Sequence, residues 1–122
     1  MHDYAFENGH EIDTEQLQAG FVPAADYKLA HPVFSFACHD VVVKIGDKYL
    51  LIERDGLPAK GILWPLGGRI LRGVATEASL KDRVLKESGL RLNNLHFLGV
   101  ARTLFETDPL DHGKGTDTLN LM

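Results

Sequence analysis

The sequence has little of several features that mark particular classes of protein. It contains one cysteine, Cys38, which excludes an internal disulfide, and the apolar neighbours of this residue predict a small buried hydrophobe. The longest apolar runs, residues 41–43 and 49–52, are far shorter than the ~20 residues of a membrane helix. No charged-then-apolar leader opens the chain. We therefore expect a cytoplasmic protein that does not insert into a membrane.

An excess of positive charge is also missing. The 13 Lys and Arg residues are outnumbered by 17 Asp and Glu, and the formal net charge is -4 at pH 7. Without a broad cationic field, bulk binding to nucleic acid is not expected, and a phosphate-rich ligand would need a local cluster of Arg and Lys. The 122 residues, 44% of them hydrophobic, are enough for one core. We expect one folded domain.

The first 22 residues are polar and weakly patterned, which predicts an N-terminal arm ahead of a domain over residues 23–122. Within the arm, a short helix is possible at residues 13–19, where Asp13 or Thr14 could cap the first turn. A second short helix is predicted at residues 24–30, after Pro23, with Tyr27 as its anchor into the core.

The rest of the pattern predicts strands, one long helix and further strands. β-branched and aromatic residues favour strands at residues 33–38, 41–45 and 48–54, with a turn at residues 46–47. The later elements are a helix over residues 75–88 with Thr76 as its N-cap and Gly89 at its end, and strands at residues 95–104 and 116–122. This order of elements predicts an α+β domain.

The segment from Gly67 to Leu90 carries the clearest pattern in the chain, and its spacing is counted from Gly68. It follows the spacing G-x5-E-x7-R-E-U-x-E-E-x-G-U, in which U is apolar, without gaps. The agreeing residues are Gly68, Gly73, Val84, Glu87, Gly89 and Leu90. The chain therefore resembles the Nudix family, which implies the Nudix fold, a mixed β-sheet sandwiched by helices. Because the resemblance stops at the start of a strand, we expect that the C-terminal strand and helix are missing.

The glutamates that bind metal in the Nudix family are mostly replaced here. Val74 stands at the opening glutamate, and Arg83, Lys86 and Glu87 occupy the metal-binding face of the helix, at i, i+3 and i+4. Two of these three carboxylates have become cations, so the usual cluster of several metals is not expected. At most one Mg²⁺ is predicted, held by Glu87 and by oxygens of the ligand. Glu77 and Asp82 are predicted to lie on a solvated helix surface.

Over a longer stretch that includes this segment, residues 23–122 resemble the GDP-mannose mannosyl hydrolase branch of the family. The matching residues are Asp40, the run from Arg54 to Gly61, Gly67-Gly68-Arg69, Gly99-Val100 and Gly115-Thr116-Asp117. By this resemblance Asp40 would contact the sugar, while Arg54 and Arg69 would hold the diphosphate. Guanidinium groups suit this role because their fork of donors meets phosphate oxygens in pairs. The alternative for Arg54 is a surface arginine at the end of a strand.

The histidine that serves this branch as general base has no counterpart, because its position falls at about Leu121. His112, in a loop, and His39, beside Asp40, are the possible substitutes. Strand alternation puts His39 on the opposite face from Asp40 and favours a structural role for it, while the role of His112 stays open. Trp64 could stack on a base, although a core position is favoured.

Two functions follow from these residues and the resemblance. The first is a Nudix hydrolase of a nucleoside diphosphate sugar such as GDP-mannose, assisted by Mg²⁺, with Arg54 and Glu87 in catalysis and a homodimeric assembly. Its ligand-binding residues would be Asp40, Arg54, Arg69, Arg83 and Lys86. The alternative is a non-catalytic module that binds the same ligand, in which Arg83 and Lys86 replace the charge of the metal. A hydrolase would need divalent metal, whereas a sensor would bind equally well in chelator.

Overall fold

The computed structural model describes all residues from Met1 to Met122 and shows a small mixed α+β domain with two helices and several sheets. The strands are β1 (Phe6–Glu7), β2 (His10–Glu11), β3 (Phe36–Val41), β4 (Val43–Ile45), β5 (Lys48–Leu50), β6 (Ile52–Glu53), β7 (Leu63–Trp64), β8 (Leu66–Arg69), β9 (Val100–Phe105) and β10 (Thr116–Leu121). The helices are a 3₁₀-helix (Thr14–Leu17), α1 (Ala24–Ala30) and α2 (Thr76–Ser88). The expected α+β class is confirmed. None of the helices is long and apolar enough to cross a membrane.

The largest sheet has four strands in the order β8-β3-β10-β9. β3 and β10 are parallel, with Asn120 opposite Cys38, whereas β8 and β9 are antiparallel to their neighbours. Asp40 of β3 lies opposite Gly67 of β8. Because side chains alternate along a strand, this register places Cys38, Asp40 and Asn120 on one face of the sheet and His39 on the other.

Helix α2 packs against β8 and β3 and completes a small core. Leu80 and Val84, one turn apart, point inward and meet Leu66 and Val43 from the strands. Burial of each such side chain contributes about 1.5–3 kcal/mol. The helix ends where Gly89 takes a left-handed conformation with φ of 73°, which a glycine adopts without a steric penalty. The predicted helix and its end are confirmed.

The N-terminal segment packs against the approach to α2. Its backbone at Thr14 and Gln18 comes so close to Gly73 that a Cβ atom there would lie 2.6 Å from Thr14 O and 2.8 Å from Gln18 N. Arg72 Nε also donates to Leu17 O at 2.8 Å. Any residue larger than glycine at position 73 would therefore push the segment away, and the φ of 74° disfavours other residues as well.

The predicted N-cap of α2 is wrong. Thr76 is the first helical residue, and Ala75 precedes it without a side-chain cap. The carboxylate of Asp3 takes over this role, since it accepts hydrogen bonds from Thr76 N and Thr76 Oγ1, each at 2.7 Å. A carboxylate at this end also faces the positive end of the helix dipole.

Several predicted boundaries are also wrong, for local reasons. The strand predicted from residue 33 begins at Phe36, because Val33 N and Phe34 N still donate to Ala30 O beyond α1. The strand predicted at residues 48–54 is divided, because β5 pairs with β4 whereas β6 pairs with β7. The helix predicted at residues 13–19 is one 3₁₀ turn, and the strand predicted from residue 95 begins at Val100, where pairing with β10 begins.

Candidate functional site

One face of the four-stranded sheet forms the floor of a cleft with a volume of about 410 Å³. The floor carries Phe36, Cys38 and Asp40 from β3, and residues 52–58, 64–69 and α2 supply the walls. Five of the six predicted site residues line this cleft: Asp40, Arg54, Arg69, Arg83 and Glu87. The volume lies within the range of small-molecule sites.

Asp40 is the buried carboxylate of the cleft, with 6% of its surface exposed. Asn120 Nδ2 donates to Asp40 Oδ2 at 2.6 Å, across the parallel pair of strands. Burial raises the pKa of Asp40 above its ordinary value, while the hydrogen bond from Asn120 and the nearby charge of Arg54 oppose this effect. Gly67 leaves the room that this carboxylate occupies, because a Cβ atom there would overlap both Asp40 Oδ1 and His39 O.

Arg54 and Arg69 line the cleft without a carboxylate partner. Arg54 Nε donates to Pro58 O at 2.7 Å, and the guanidinium carbon of Arg69 lies 4.1 Å from the centre of the Tyr27 ring. Neither guanidinium has an Asp or Glu oxygen within 4.0 Å. These contacts hold the two side chains in place and leave N–H groups free to bind an anion.

Arg83 and Glu87 of α2 form an ion pair at the wall of the cleft, with Arg83 Nη1 3.3 Å from Glu87 Oε1. The guanidinium of Arg83 lies against Gly68, where a Cβ atom would be 2.7 Å from Nη2. Lys86 is not part of the cleft lining; its Nζ pairs with Asp82 at 2.7 Å on the exposed side of the helix. The structure thus separates Lys86 from the other predicted ligand-binding residues.

The side chains present do not fit a magnesium ion held by the protein alone. No group of three or more His, Cys, Asp or Glu side chains is arranged to hold a metal. Glu87, the predicted ligand, is engaged with Arg83, and Glu77 and Asp82 form i,i+4 pairs with Lys81 and Lys86 on the helix surface. Mg²⁺ prefers several oxygen ligands in octahedral geometry. A magnesium ion at Glu87 stays a prediction.

His39 lies on the far face of the sheet, as its alternation with Asp40 predicts. Its Nε2 is 2.8 Å from Ser79 Oγ of α2, and the same hydroxyl accepts a hydrogen bond from Leu71 N at 3.0 Å. His39 is only 1% exposed, and Nδ1 has no hydrogen-bond partner. Burial lowers the pKa of His39 below its ordinary value. The residue joins the sheet to α2 and does not reach the cleft.

His31 is a residue of the cleft that the sequence did not reveal as functional. It is 7% exposed, its ring stacks on Phe36 at 5.5 Å between centroids, and Tyr27 meets it edge-on at 5.7 Å. His31 Nδ1 is 2.6 Å from His112 Nε2. Burial lowers the pKa of His31, and His112 acts in the same direction. No local pattern could have joined these two histidines, because they lie 81 residues apart.

Asp108 stands behind this histidine pair. Its side chain is 5% exposed and accepts hydrogen bonds from the backbone N–H groups of Leu110, His112 and Gly113 at 2.9, 3.1 and 3.0 Å. Although burial acts to raise the pKa of Asp108, these hydrogen bonds hold it below its ordinary value. The carboxylate thereby fixes the loop that carries His112. The position of His112, left open by the sequence, is behind His31 and not at the cleft surface.

Three further residues of the cleft differ in character from the charged ones. Tyr27, predicted as a core anchor, instead lines the cleft beneath Arg69. Trp64 packs edge-on against Phe105 at 5.6 Å between centroids and forms part of the wall. Cys38 is buried, as predicted, and burial raises the pKa of its thiol to about 11, which keeps it protonated and unreactive at neutral pH.

Neither a protein-family model nor a curated protein matches this chain. The resemblance to the Nudix family therefore stays a prediction.

Proposed function

We propose that this chain is a Nudix-type domain whose cleft binds a nucleoside diphosphate sugar through arginine side chains. The observation that carries the proposal is that Arg54 and Arg69 line one cleft without any carboxylate partner. Cations that are held in place and not neutralised favour an anionic ligand. A diphosphate suits them because two guanidinium forks can each meet a pair of phosphate oxygens.

The remainder of the cleft provides groups for the other parts of such a ligand. Asp40 and Asn120 form a polar pair on the floor that can accept and donate hydrogen bonds to sugar hydroxyls. Trp64 and Phe105 form an aromatic wall against which a base can stack. The cleft thus offers a polar pair for a sugar, cations for a diphosphate and aromatic rings for a base, which are the three groups of a nucleotide sugar.

Binding without a resident metal is the mode that the cleft supports best. Glu87, the predicted metal ligand, is paired with Arg83, and the cations of the cleft without a carboxylate partner are Arg54 and Arg69. Side-chain cations attract a diphosphate without activating a water molecule, because they offer no coordination site to it. This proposal corresponds to a binding or sensing module.

Calorimetric titration of GDP-mannose and of GDP, in Mg²⁺ and in EDTA, tests this function. The expected result is binding of equal strength in both buffers and no released sugar. Arg69→Gln should weaken binding about tenfold or more, because it removes a charge-assisted contact. Arg91→Gln is the matched control, since Arg91 is exposed and lies outside the cleft. Binding that disappears in EDTA, or that Arg69→Gln leaves unchanged, would contradict the proposal.

Hydrolysis of the nucleotide sugar is the second candidate, because the carboxylate of Glu87 lines the same cleft as the arginines. If the protein is a hydrolase, it should release sugar only when Mg²⁺ is added, and Glu87→Gln should abolish this release. Glu77→Gln, on the exposed surface of the same helix, is the control that should keep the activity. Sugar release that persists in both variants would argue against a role for Glu87.

A further inference from the structure

The histidine pair at one end of the cleft is not explained by the arginine site. His31 lines the cleft, and its Nδ1 faces His112 Nε2 at 2.6 Å. Nε2 of His31 has no hydrogen-bond partner in the protein. It is not among the fully buried, unpartnered side-chain polar atoms, of which Nδ1 of His39 is the only one. His31 Nε2 therefore keeps some access to solvent. A polar atom held in this way is available to a ligand.

The contacts behind His31 favour one position for its proton. His112 Nδ1 accepts a hydrogen bond from Lys114 N at 3.1 Å, while Asp108 Oδ2 lies farther from the same nitrogen, at 3.5 Å, and makes no hydrogen bond with it. This arrangement favours a neutral His112 that accepts at Nδ1 and carries its proton on Nε2. His112 Nε2–H then donates to His31 Nδ1. A neutral imidazole that accepts at Nδ1 carries its proton on Nε2. The chain of bonds from Lys114 thus presents an N–H group, and not a lone pair, to the cleft.

We propose that His31 is a ligand-contacting residue that donates its Nε2–H to an anionic oxygen of a bound diphosphate. His112 is the positioning residue that holds His31 in this tautomer, and Asp108 holds the loop that carries His112. The proposal rests on the proposed function for the nature of the ligand, although its test needs only the diphosphate group.

This role differs from that of a general base. A base must offer a lone pair to the proton that it removes, whereas His31 Nε2 is already protonated in this arrangement. The environment also favours a neutral donor, because burial lowers the pKa of His31 and both His112 and Arg69 act in the same direction, although Asp108 opposes them from behind His112. Tyr27 and Phe36 contribute only their ring faces and edges. A neutral N–H donor completes an anion site that the arginines begin.

NMR spectroscopy of the ¹⁵N-labelled protein of 122 residues tests the tautomer directly. Long-range correlations from the imidazole carbon-bound protons distinguish a protonated Nε2 from a protonated Nδ1. We expect protonated Nε2 in both His31 and His112 at pH 7.5. A His31 that is protonated at Nδ1 would overturn the proposal, since its cleft nitrogen would then be an acceptor.

Titration with inorganic pyrophosphate tests the contact. His31→Phe keeps the stacking on Phe36 but removes the donor, and it should weaken pyrophosphate binding about tenfold. His31→Gln, which retains an N–H donor, should recover part of the affinity and guards against misfolding of the first variant. His96→Phe is the control, because His96 is exposed and outside the cleft.

The outcomes separate this proposal from the proposed function. Pyrophosphate binding that depends on His31, without binding of GDP-mannose, would support the donor role and reject the nucleotide sugar. Binding of GDP-mannose and pyrophosphate that His31→Phe leaves unchanged would overturn the donor role alone. Pyrophosphate that does not bind the wild-type protein at millimolar concentration would overturn the donor role as well.

Discussion

At Gly67, strand β8 passes so close to β3 that no side chain can be accommodated. A Cβ atom would overlap Asp40 Oδ1 and His39 O, neither of which can move freely, since Asp40 is held by Asn120. We predict that Gly67→Ala lowers the free energy of unfolding by about 1–3 kcal/mol, because overpacking forces the backbone to shift. Urea denaturation measures this change.

Gly56→Ala is the matched control for Gly67→Ala. A Cβ atom at Gly56 meets no other atom within 4 Å, and its φ is not positive. We expect a change of at most about 0.5 kcal/mol in this variant. If the two variants have the same free energy of unfolding, β3 and β8 can move apart at Gly67 without losing stability, which would contradict the packing argument.

The buried histidine His39 predicts a dependence of stability on pH. Because burial lowers its pKa below the ordinary 6.5, the unfolded chain binds more protons than the folded protein near that pH. Stability is therefore fully present above pH 6.5 and is lost as the pH falls from 6.5 toward the pKa of the folded state. A difference of one proton corresponds to about 1.4 kcal/mol per pH unit. Urea denaturation between pH 5 and pH 8 measures the slope.

His39→Gln should reduce this slope, because glutamine does not titrate and can still bond to Ser79. Part of the slope should remain, since the pKa of His31 is lowered by burial as well. His96→Gln, at an exposed position, provides the comparison. A slope that is identical in wild type and His39→Gln would show that His39 is not the group that titrates.

Individual residues differed in how far their roles could be predicted. The position of His39 followed from strand alternation, and the burial of Cys38 followed from its apolar neighbours, both of which are local properties. By its spacing, Lys86 shares a helical face with Arg83 and Glu87. Its Nζ nevertheless pairs with Asp82, because a long, flexible side chain can reach a carboxylate one turn away on the exposed side of the helix. His31 carries no local signal at all, because its partner His112 reaches it only through the tertiary fold.

At the scale of elements, the start of α2 depends on a residue that is distant in sequence, near the N-terminus of the chain. Asp3 accepts hydrogen bonds from both Thr76 N and Thr76 Oγ1, and it stands where a local N-cap would normally act. We predict that Asp3→Ala lowers the free energy of unfolding by about 1 kcal/mol, as the loss of a cap does. Thermal and urea denaturation measure the loss, and amide exchange in the first turn of α2 should increase.

A double-mutant cycle with Thr76→Val separates the cap from other effects of Asp3. If the two residues act through their mutual hydrogen bond, the combined variant should lose less than the sum of the single variants. Additive losses would mean that Asp3 stabilises the protein in another way. The cycle also tests whether residues 1–22 are more than a loosely attached arm.

The elements that could be predicted are those whose signals are local. The pattern of α2, with Leu80 and Val84 inward and Gly89 at the end, lies within one segment of sequence. Strand ends could not be predicted as well, because they depend on partners: β9 begins where Leu121 pairs with Val100, and β5 and β6 separate because their partners differ. Asp3, which caps the helix, lies 73 residues from Thr76 in the sequence, so no local pattern indicates this contact.

On the scale of the whole molecule, the site is assembled from distant parts of the chain. Asp40 and Asn120 are 80 residues apart and meet because β3 and β10 are parallel neighbours. Six charged residues were predicted for one site, and five of them line one cleft, but the sequence could not show which were neutralised. That distinction arises from pairing: Arg83 has a carboxylate partner, whereas Arg54 and Arg69 have none. The expected homodimer stays a prediction.

The charge of the whole molecule and the charge of the cleft act in opposite directions on an anionic ligand. A net charge of -4 repels it at long range, whereas Arg54 and Arg69 attract it at contact distance. Salt screens both effects, since the Debye length is ~10 Å at 0.1 M. If the local attraction dominates, as we predict, the Kd of GDP should rise about fivefold between 0.05 and 0.5 M NaCl, which corresponds to about 1 kcal/mol.

Calorimetry in a series of salt concentrations measures this dependence, and two variants assign its origin. Arg69→Gln should flatten the dependence, because it removes one of the cleft cations, while Arg91→Gln should keep the wild-type slope because Arg91 lies outside the cleft. A Kd that falls as salt is added would mean that the repulsion by the whole molecule outweighs the arginines. The cleft would then need another source of positive charge to hold a diphosphate, and the binding mode proposed for Arg54 and Arg69 would be wrong.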